Sequence, residues 1–157
     1  MNLHYMIFLN TGKPAKVHNN LNIKKMKKVM QTYLHEGKQR GDCWRACIAS
    51  ILECDIDLFP SPNDIKNWVT LYTEVLARLK KMGYEYNSYS VAGITDKVLS
   101  SFDTDGYCIA IGKSPRSTHK RITHAVVWRN GIKHDPHPDC TGLLDITRFE
   151  IFTKIKP

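Results

Sequence analysis

Cys43 has the surroundings expected of a nucleophilic cysteine. Asp42 is a favourable residue for the start of a helix, and small or apolar residues then recur at helical spacing, so the sequence predicts a helix over Cys43–Cys54. The free N–H groups and the dipole at a helix N-terminus favour an anion, and therefore the thiolate, which is the nucleophilic form of cysteine. The alternative is a small apolar residue with only a packing role, which is how we interpret Cys47 on the same helix.

A nucleophilic thiol needs a base, and the base needs an orienting partner. Asn130-Gly131, between two runs of strand-forming residues, predicts a hairpin with a two-residue turn, in which Val126 would pair with Asp135. His124 and Asp135 are then diagonal neighbours on one face, within reach of each other's side chains. This register favours His124 as the base, with His137 second, and Asp135 as the orienting carboxylate. The alternative is a surface cross-strand pair that contributes little.

An acyl-transfer site also needs hydrogen-bond donors for the oxyanion. The backbone N–H of Cys43 is one natural donor, and a side-chain amide from the preceding segment would be the second. Gln39 lies four residues before Cys43, and Gln31 lies twelve before it. Gln39 is nearer in the chain, whereas a loop between them would let Gln31 reach, so the sequence leaves both open. Either could also be a solvated glutamine.

Helices precede strands along this chain, which predicts an α+β fold with an antiparallel sheet. The exception is a possible strand near Val29–Leu34, ahead of the cysteine helix. A second helix is expected from a cap at Ser61-Pro62-Asn63 to about Met82, before Gly83. The later strands are predicted around Tyr84–Tyr89, Tyr107–Gly112, Thr123–Trp128, Ile132–His137 and Arg148–Ile155.

Length and composition predict one ordinary globular domain. The chain has 157 residues, of which 42% are hydrophobic, and a formal charge of +8. Its first 35 residues contain six of the 23 basic residues and no acidic one, which leaves 17 basic against 15 acidic residues in the rest. We therefore expect a basic extension or linker over residues 1–25 and a single domain over 26–157. No run of about 20 apolar residues could span a membrane, and five cysteines without a repeated spacing indicate free thiols and a cytoplasmic location.

The motifs that carry this chemistry resemble those of papain-like cysteine peptidases. The segment from Gln39 to Leu52, QRGDCWRACIASIL, resembles the helix that carries the nucleophile in that superfamily. The His124-Ala125-Val126-Val127 and Asp135-Pro136 segments resemble the histidine strand and the Asp-Pro element of the peptidase domain of bacteriocin-exporting transporters. Small papain-like proteins of phages and bacteria show a similar pattern. The resemblance covers roughly residues 29–140, and nothing in this sequence resembles the membrane part of the transporters.

The resemblance implies a papain-like α+β fold and a cysteine-dependent hydrolase that needs no cofactor. It implies Cys43 as nucleophile, His124 as base and acid, Asp135 as orienting residue, and a glutamine as oxyanion donor. The substrate would be a peptide or protein, and the bond cleaved a peptide, isopeptide or other amide, including a glutamine side chain. An inactive relative that binds a peptide without cutting it is a further alternative.

Two binding functions compete with catalysis. Basic residues of the N-terminal extension and of the loop before His124 could bind nucleic acid, although solvated charges are the simpler interpretation. Within that loop, Lys120 and Arg121 could instead guide an acidic substrate to the site, which we treat as a hypothesis about substrate binding. The second competing function is a zinc-stabilised binding module, with the ligands Cys43, Cys47, His137 and Cys140.

Overall fold

The computed structural model describes residues 26–91, 106–117 and 122–156. The expected extension over residues 1–25, and Lys120 and Arg121, therefore lie outside the described residues. Within the described part the elements are α1 (Cys43–Leu52), a short 3-10 helix (Ile56–Leu58), α2 (Trp68–Lys81), β1 (Tyr84–Ser90), β2 (Cys108–Lys113), β3 (Thr123–Trp128), β4 (Ile132–His134) and β5 (Arg148–Lys154).

The five described strands form one sheet in the order β1-β5-β2-β3-β4, and every neighbouring pair is antiparallel. This confirms the predicted α+β class. Alternate residues of the central strands face two separate apolar clusters, one of which contains α1 and α2. In that cluster Ile48 of α1 packs with Ile111 of β2 and Val127 of β3. Among the described residues no helix is both long and apolar enough to cross a membrane.

Helix α1 begins at the predicted residue but is not capped in the predicted way. The backbone carbonyl of Asp42 accepts the N–H of Ala46 at 3.0 Å, as expected at a helix start. The Asp42 carboxylate makes no capping bond, however, and instead accepts the backbone N–H of Tyr33 at 2.8 Å. The helix ends at Leu52 rather than Cys54, because Glu53 adopts a left-handed conformation with φ of 54°.

The predicted strand over Val29–Leu34 is wrong. This segment is an irregular strap, residues 29–33, that hydrogen-bonds to α1 and to the hairpin instead of joining the sheet. The backbone N–H groups of Val29, Gln31 and Tyr33 donate to Ser50 Oγ, Pro136 O and Asp42 Oδ1 at 3.0, 3.0 and 2.8 Å. Side-chain and loop acceptors thus satisfy these donors, and no neighbouring strand is needed.

The second helix starts later than predicted. Ser61-Pro62-Asn63 does not cap it, and α2 begins at Trp68, where the Asn67 side chain accepts the N–H of Thr70 at 2.9 Å. Asn63 instead bonds to the loop before α1, accepting the N–H of Arg40 at 2.9 Å. The helix ends just before Gly83, as predicted.

The β3–β4 hairpin has a longer turn than the two residues predicted. Trp128 pairs with Ile132, and Val127 pairs with His134, so that Lys133 is an extra residue in a β-bulge. The bulge restores the predicted register beyond it, because the expected two-residue turn also pairs Val127 with His134. Strand β4 ends at His134 rather than His137, and Pro136 lacks the N–H that would continue the pairing.

Candidate active site

Three predicted site residues meet where α1 approaches the end of the hairpin. Cys43 is the first residue of α1, His124 is the second residue of β3, and Asp135 directly follows β4. Nε2 of His124 lies 2.7 Å from Oδ1 of Asp135, and both side chains are only 4% exposed. This contact leaves Nδ1 of His124 available to the Cys43 thiol, which lines the same two cavities and interacts with the imidazole. The imidazole therefore lies between the thiol and the carboxylate.

The Asp135 carboxylate is held from three sides. Besides His124, the backbone N–H groups of His137 and Gly142 donate to it at 2.9 and 2.8 Å. Burial alone would raise the pKa of Asp135, but the hydrogen bonds from His124, His137 and Gly142 lower it to about 2. The carboxylate is therefore ionised and fixed in position at neutral pH.

The loop that covers Asp135 is tied to the end of β2. Lys113 donates its N–H to Oδ1 of Asp145 at 2.7 Å and accepts the N–H of Leu144 at 2.9 Å. The Asp145 carbonyl oxygen would lie 1.8 Å from a Cβ at Gly112, which is the β2 partner of His124. Only a residue without a side chain allows this approach, so Gly112 helps to place the Gly142 N–H against Asp135.

His124 is held in its protonated form. Burial alone would lower the pKa of His124, but the hydrogen bonds with Asp135 and Cys43 raise it to about 9. An imidazolium with N–H groups at both ring nitrogens can donate to the carboxylate and to the sulfur at once. This protonation state suits a group that stabilises a thiolate and later gives up a proton.

The other hairpin histidines have different partners. His137, the second choice from sequence, lies edge-on to His124 with ring centroids 6.1 Å apart, and its Nδ1 accepts the backbone N–H of Asp139. Burial and the nearby Arg116 guanidinium lower the pKa of His137. Nε2 of His134 lies 2.7 Å from the Val29 carbonyl oxygen, where it fastens the strap. Of these three histidines, only His124 therefore bonds to the Asp135 carboxylate through its imidazole.

The structure separates the two candidate glutamines. Gln31 lies in the strap and lines a cavity together with Cys43 and His124. Its Nε2 donates to Tyr33 O at 2.7 Å, and its buried Oε1 has no hydrogen-bond partner among the described residues. Gln39 is exposed, donates to Leu34 O, and borders neither cavity at the cysteine. Gln31 is therefore the glutamine that the fold brings to the site.

Two cavities of about 420 and 410 Å³ meet at the Cys43–His124 pair. The aromatic cavity, as we call the first, has a wall of rings and several charged groups: Trp44, Trp68, Tyr72, Arg40, Arg148 and Glu150. The polar cavity, on the side of the strap, includes Gln31, Glu36, Ser114, Arg116, His137 and Asp139. A chain lying across both cavities would pass over the sulfur of Cys43.

Sequence reasoning missed the charged pair of the aromatic cavity. Glu150 is buried, and it accepts Nε1 of Trp44 at 2.7 Å and Nε of Arg148 at 3.1 Å. The available signal was an ionic residue between the apolar Phe149 and Ile151 of a predicted strand. Such a residue is buried only with partners.

The alternative zinc site does not form. All five cysteines are free thiols, with Cys47 buried in the core and Cys140 exposed. Burial raises the pKa of the Cys47 thiol well above its ordinary value. Over residues 26–91, 106–117 and 122–156, no group of three or more His, Cys, Asp or Glu side chains is arranged to hold a metal ion. Cys43, Cys47, His137 and Cys140 are all within those ranges.

None of the protein-family models, curated proteins or solved structures with which the chain was compared matches it. What the site can do is therefore inferred from its own geometry.

Proposed function

We propose that this protein is a cysteine-dependent hydrolase of papain-like fold that acts by acyl transfer through Cys43, His124 and Asp135. One observation carries the proposal: a buried imidazole bonds at 2.7 Å to a carboxylate and also interacts with a thiol at a helix N-terminus, beside which it lines two cavities. A nucleophile, a base and an orienting group in this order are the elements of a catalytic triad. The helix that bears the cysteine packs on the antiparallel sheet that bears the histidine, which supports the papain-like assignment.

In the proposed mechanism the Cys43 proton has passed to His124 before the attack. The thiolate attacks the carbonyl carbon, a C–S bond forms, and the C=O electron pair moves to oxygen. The backbone N–H of Cys43 and the second amide N–H of Gln31 donate to this oxyanion. The oxyanion then collapses, the C–N bond breaks, and the His124 imidazolium protonates the leaving amine. Water, deprotonated by His124, finally hydrolyses the thioester and restores the thiol.

The amide bond that this site cleaves is proposed as a peptide, an isopeptide or a side-chain amide, because the same steps serve all three. Two open cavities flank the sulfur, so a chain segment can be bound on both sides of the scissile bond. The substrate class is accordingly a peptide or a protein, and no cofactor enters any step.

Selective alkylation of Cys43 tests the proposal. At pH 6 we expect iodoacetamide to modify Cys43 at least about tenfold faster than Cys140, which is a free and exposed cysteine of the same molecule. Rates for each cysteine are read by peptide mass spectrometry. Replacing His124→Gln should reduce the Cys43 rate to that of Cys140. The mechanism would be contradicted by equal alkylation rates of Cys43 and Cys140 in the unmodified protein, or by a Cys43 rate that does not change in His124→Gln.

The two glutamines give a matched pair of variants. We expect Gln31→Ala to lower kcat/KM for p-nitrophenyl acetate by roughly 10²-fold, which is the usual effect of losing one oxyanion donor. Gln39→Ala should change kcat/KM less than twofold, because Gln39 is exposed and borders neither cavity. Cys43 alkylation measured in parallel separates loss of the oxyanion donor from loss of the thiolate. A larger effect at Gln39 than at Gln31 would reverse the assignment.

A further inference from the structure

The aromatic cavity contains a guanidinium that is held in place from behind. Glu150, which is 2% exposed, accepts Nε of Arg148 at 3.1 Å and Nε1 of Trp44 at 2.7 Å. Nε1 of Trp44 also donates to the Tyr86 phenol at 2.9 Å, and burial together with the Glu150 carboxylate raises the pKa of Tyr86. Each oxygen of the buried carboxylate thus accepts one bond, and the bond from Nε fixes the direction of Arg148.

The outer end of Arg148 is available to a ligand. Its side chain lines the cavity and is 40% exposed. The bond to Glu150 is made by Nε. Within the described part of the chain Nη1 and Nη2 of Arg148 have no hydrogen-bond partner. A guanidinium whose paired terminal N–H groups are free matches the two oxygens of a carboxylate.

The remaining charge of the cavity also favours an anion. Arg40 lines the same cavity, and its guanidinium donates to the carbonyl oxygens of Ile65 and Lys66 at 3.1 and 2.7 Å, which carry no net charge. Among the described residues Glu150 is the one acidic residue on the wall of this cavity, and it is already paired with Arg148. The wall of the cavity therefore carries two guanidinium groups and one carboxylate. This excess of positive charge would stabilise a negatively charged ligand.

The aromatic wall suits the rest of an acidic side chain. The rings of Trp68 and Tyr72 lie 5.7 and 5.6 Å from that of Trp44, and Trp68 remains 49% exposed. Such faces can cover the methylene groups next to a carboxylate.

We propose that the aromatic cavity is a substrate subsite for a carboxylate, with Arg148 as its specificity determinant and an acidic side chain near the scissile bond as its ligand. The inference rests on the proposed hydrolase function, because the cavity shares Cys43 and His124 with that site. It also supplies, within the described residues, a different basis for the acidic substrate that the sequence linked to Lys120 and Arg121.

Covalent peptide probes test the subsite. Peptidyl vinyl sulfones that carry Glu, Gln or Lys at each of the two positions before the reactive group are compared by their rate of reaction with Cys43. Every rate is divided by the iodoacetamide rate of the same variant, so that the ratio reports recognition rather than thiol reactivity. We expect Glu to exceed Gln by about tenfold at one position, and Lys to be slowest.

Variants of the ion pair assign the preference. Arg148→Gln alone would leave Glu150 buried without its charged partner, so the double variant Arg148→Gln/Glu150→Gln is used, which removes both charges together. The double variant should abolish the preference for Glu. Arg148→Lys should retain part of that preference, because lysine keeps the charge but cannot make a bidentate contact. Lys133→Gln, at an exposed basic residue that borders neither cavity, should keep the full preference.

A second arm separates the two sources of a carboxylate. Short peptides with a free or an amidated C-terminus are compared for their protection of Cys43 from iodoacetamide. Protection by the free acid alone, lost in the double variant, would place a terminal carboxylate in the subsite and overturn the side-chain ligand. Equal rates for Glu and Gln probes, or a preference that survives the double variant, would overturn the role of Arg148. Failure of the hydrolase function itself would appear separately, as iodoacetamide labelling that does not depend on His124.

Discussion

Hydrolysis of p-nitrophenyl acetate is expected to fall to the rate of the buffer when alanine replaces Cys43. The reason is that neither Cys47 nor Cys140 can replace Cys43 as the acceptor of the acetyl group. Cys47 is buried in the core, and Cys140 is exposed but its sulfur bonds only to the backbone carbonyls of Asp135 and His137, and to no imidazole, among the described residues. Loss of a nucleophile that acts together with its base removes the whole contribution of the pair, typically several orders of magnitude. Stopped-flow absorbance of p-nitrophenol measures the effect.

The same assay identifies the intermediate. The unmodified protein should release a burst of about one p-nitrophenol per chain while an acetyl group accumulates on Cys43, which is the behaviour of a covalent acyl intermediate. Cys140→Ala is the matched control and should leave both the burst and the later steady rate intact. A burst that persists without Cys43, or an acetyl group found on Cys140, would show that another nucleophile is responsible.

The second large effect is expected at Asp135. For a peptidyl p-nitroanilide, whose leaving amine needs a proton, kcat/KM of the unmodified protein should decrease as the pH rises through about 9, because His124 then loses the proton that it gives to that amine. In Asp135→Asn the charged partner is gone while burial remains, so the pKa of His124 should fall and this basic limb should move to lower pH. The exposed Asp139, 3.5 Å from His137, provides the control variant Asp139→Asn, whose limb should stay near pH 9.

Asp135→Asn should also cost stability in a defined pH range. The pKa of Asp135 is lowered from 3.8 to about 2, so its contribution is complete above pH 3.8 and is lost as the pH falls towards 2. The pKa of His124 is raised from 6.5 to about 9, so its contribution is complete below pH 6.5 and is lost as the pH rises through 9. Both shifts describe one interaction and are counted once.

Urea unfolding at pH 5.5 and at pH 10 measures this effect. At pH 5.5, where the pair contributes fully, we expect Asp135→Asn to lower the free energy of unfolding by about 3 kcal/mol, as for other buried ion pairs that lose one partner. At pH 10 the deficit should be smaller, because His124 is then neutral in both proteins. A deficit that is the same at both pH values would indicate that the carboxylate acts only through the backbone N–H groups of His137 and Gly142.

The parts of the site that sequence could predict are those set by local pattern. The position of Cys43 at a helix start could be predicted because the residues of α1 themselves specify the helix. The His124–Asp135 contact could be predicted because it spans only eleven residues within one hairpin. The extra residue in the turn did not disturb the contact, because the bulge at Lys133 restores the pairing that alternation requires.

The parts that sequence could not predict depend on contacts between distant segments. Gln31 reaches the site because Val29 bonds to Ser50 and to His134, which are 21 and 105 residues away. The strap has neither helical nor strand periodicity, so the sequence does not predict where Gln31 lies. Gln39, which is nearer to Cys43 along the chain, therefore remains an equal candidate at that level. Arg148 and Glu150 border Cys43 only because β5 lies between β1 and β2, and no spacing within β5 predicts that position.

The central position of β5 has a consequence for synthesis of the chain. The ribosome makes β5 after the other four described strands, yet β1 and β2 both pair with it. Until Arg148–Lys154 have emerged, β1 lacks its pairing partner and the wall formed by Arg148 and Glu150 does not exist. Such non-local pairing is slow compared with the formation of a helix or a hairpin. A nascent chain that already contains its reactive thiol and histidine thus acquires a shaped substrate groove only in its final folding step.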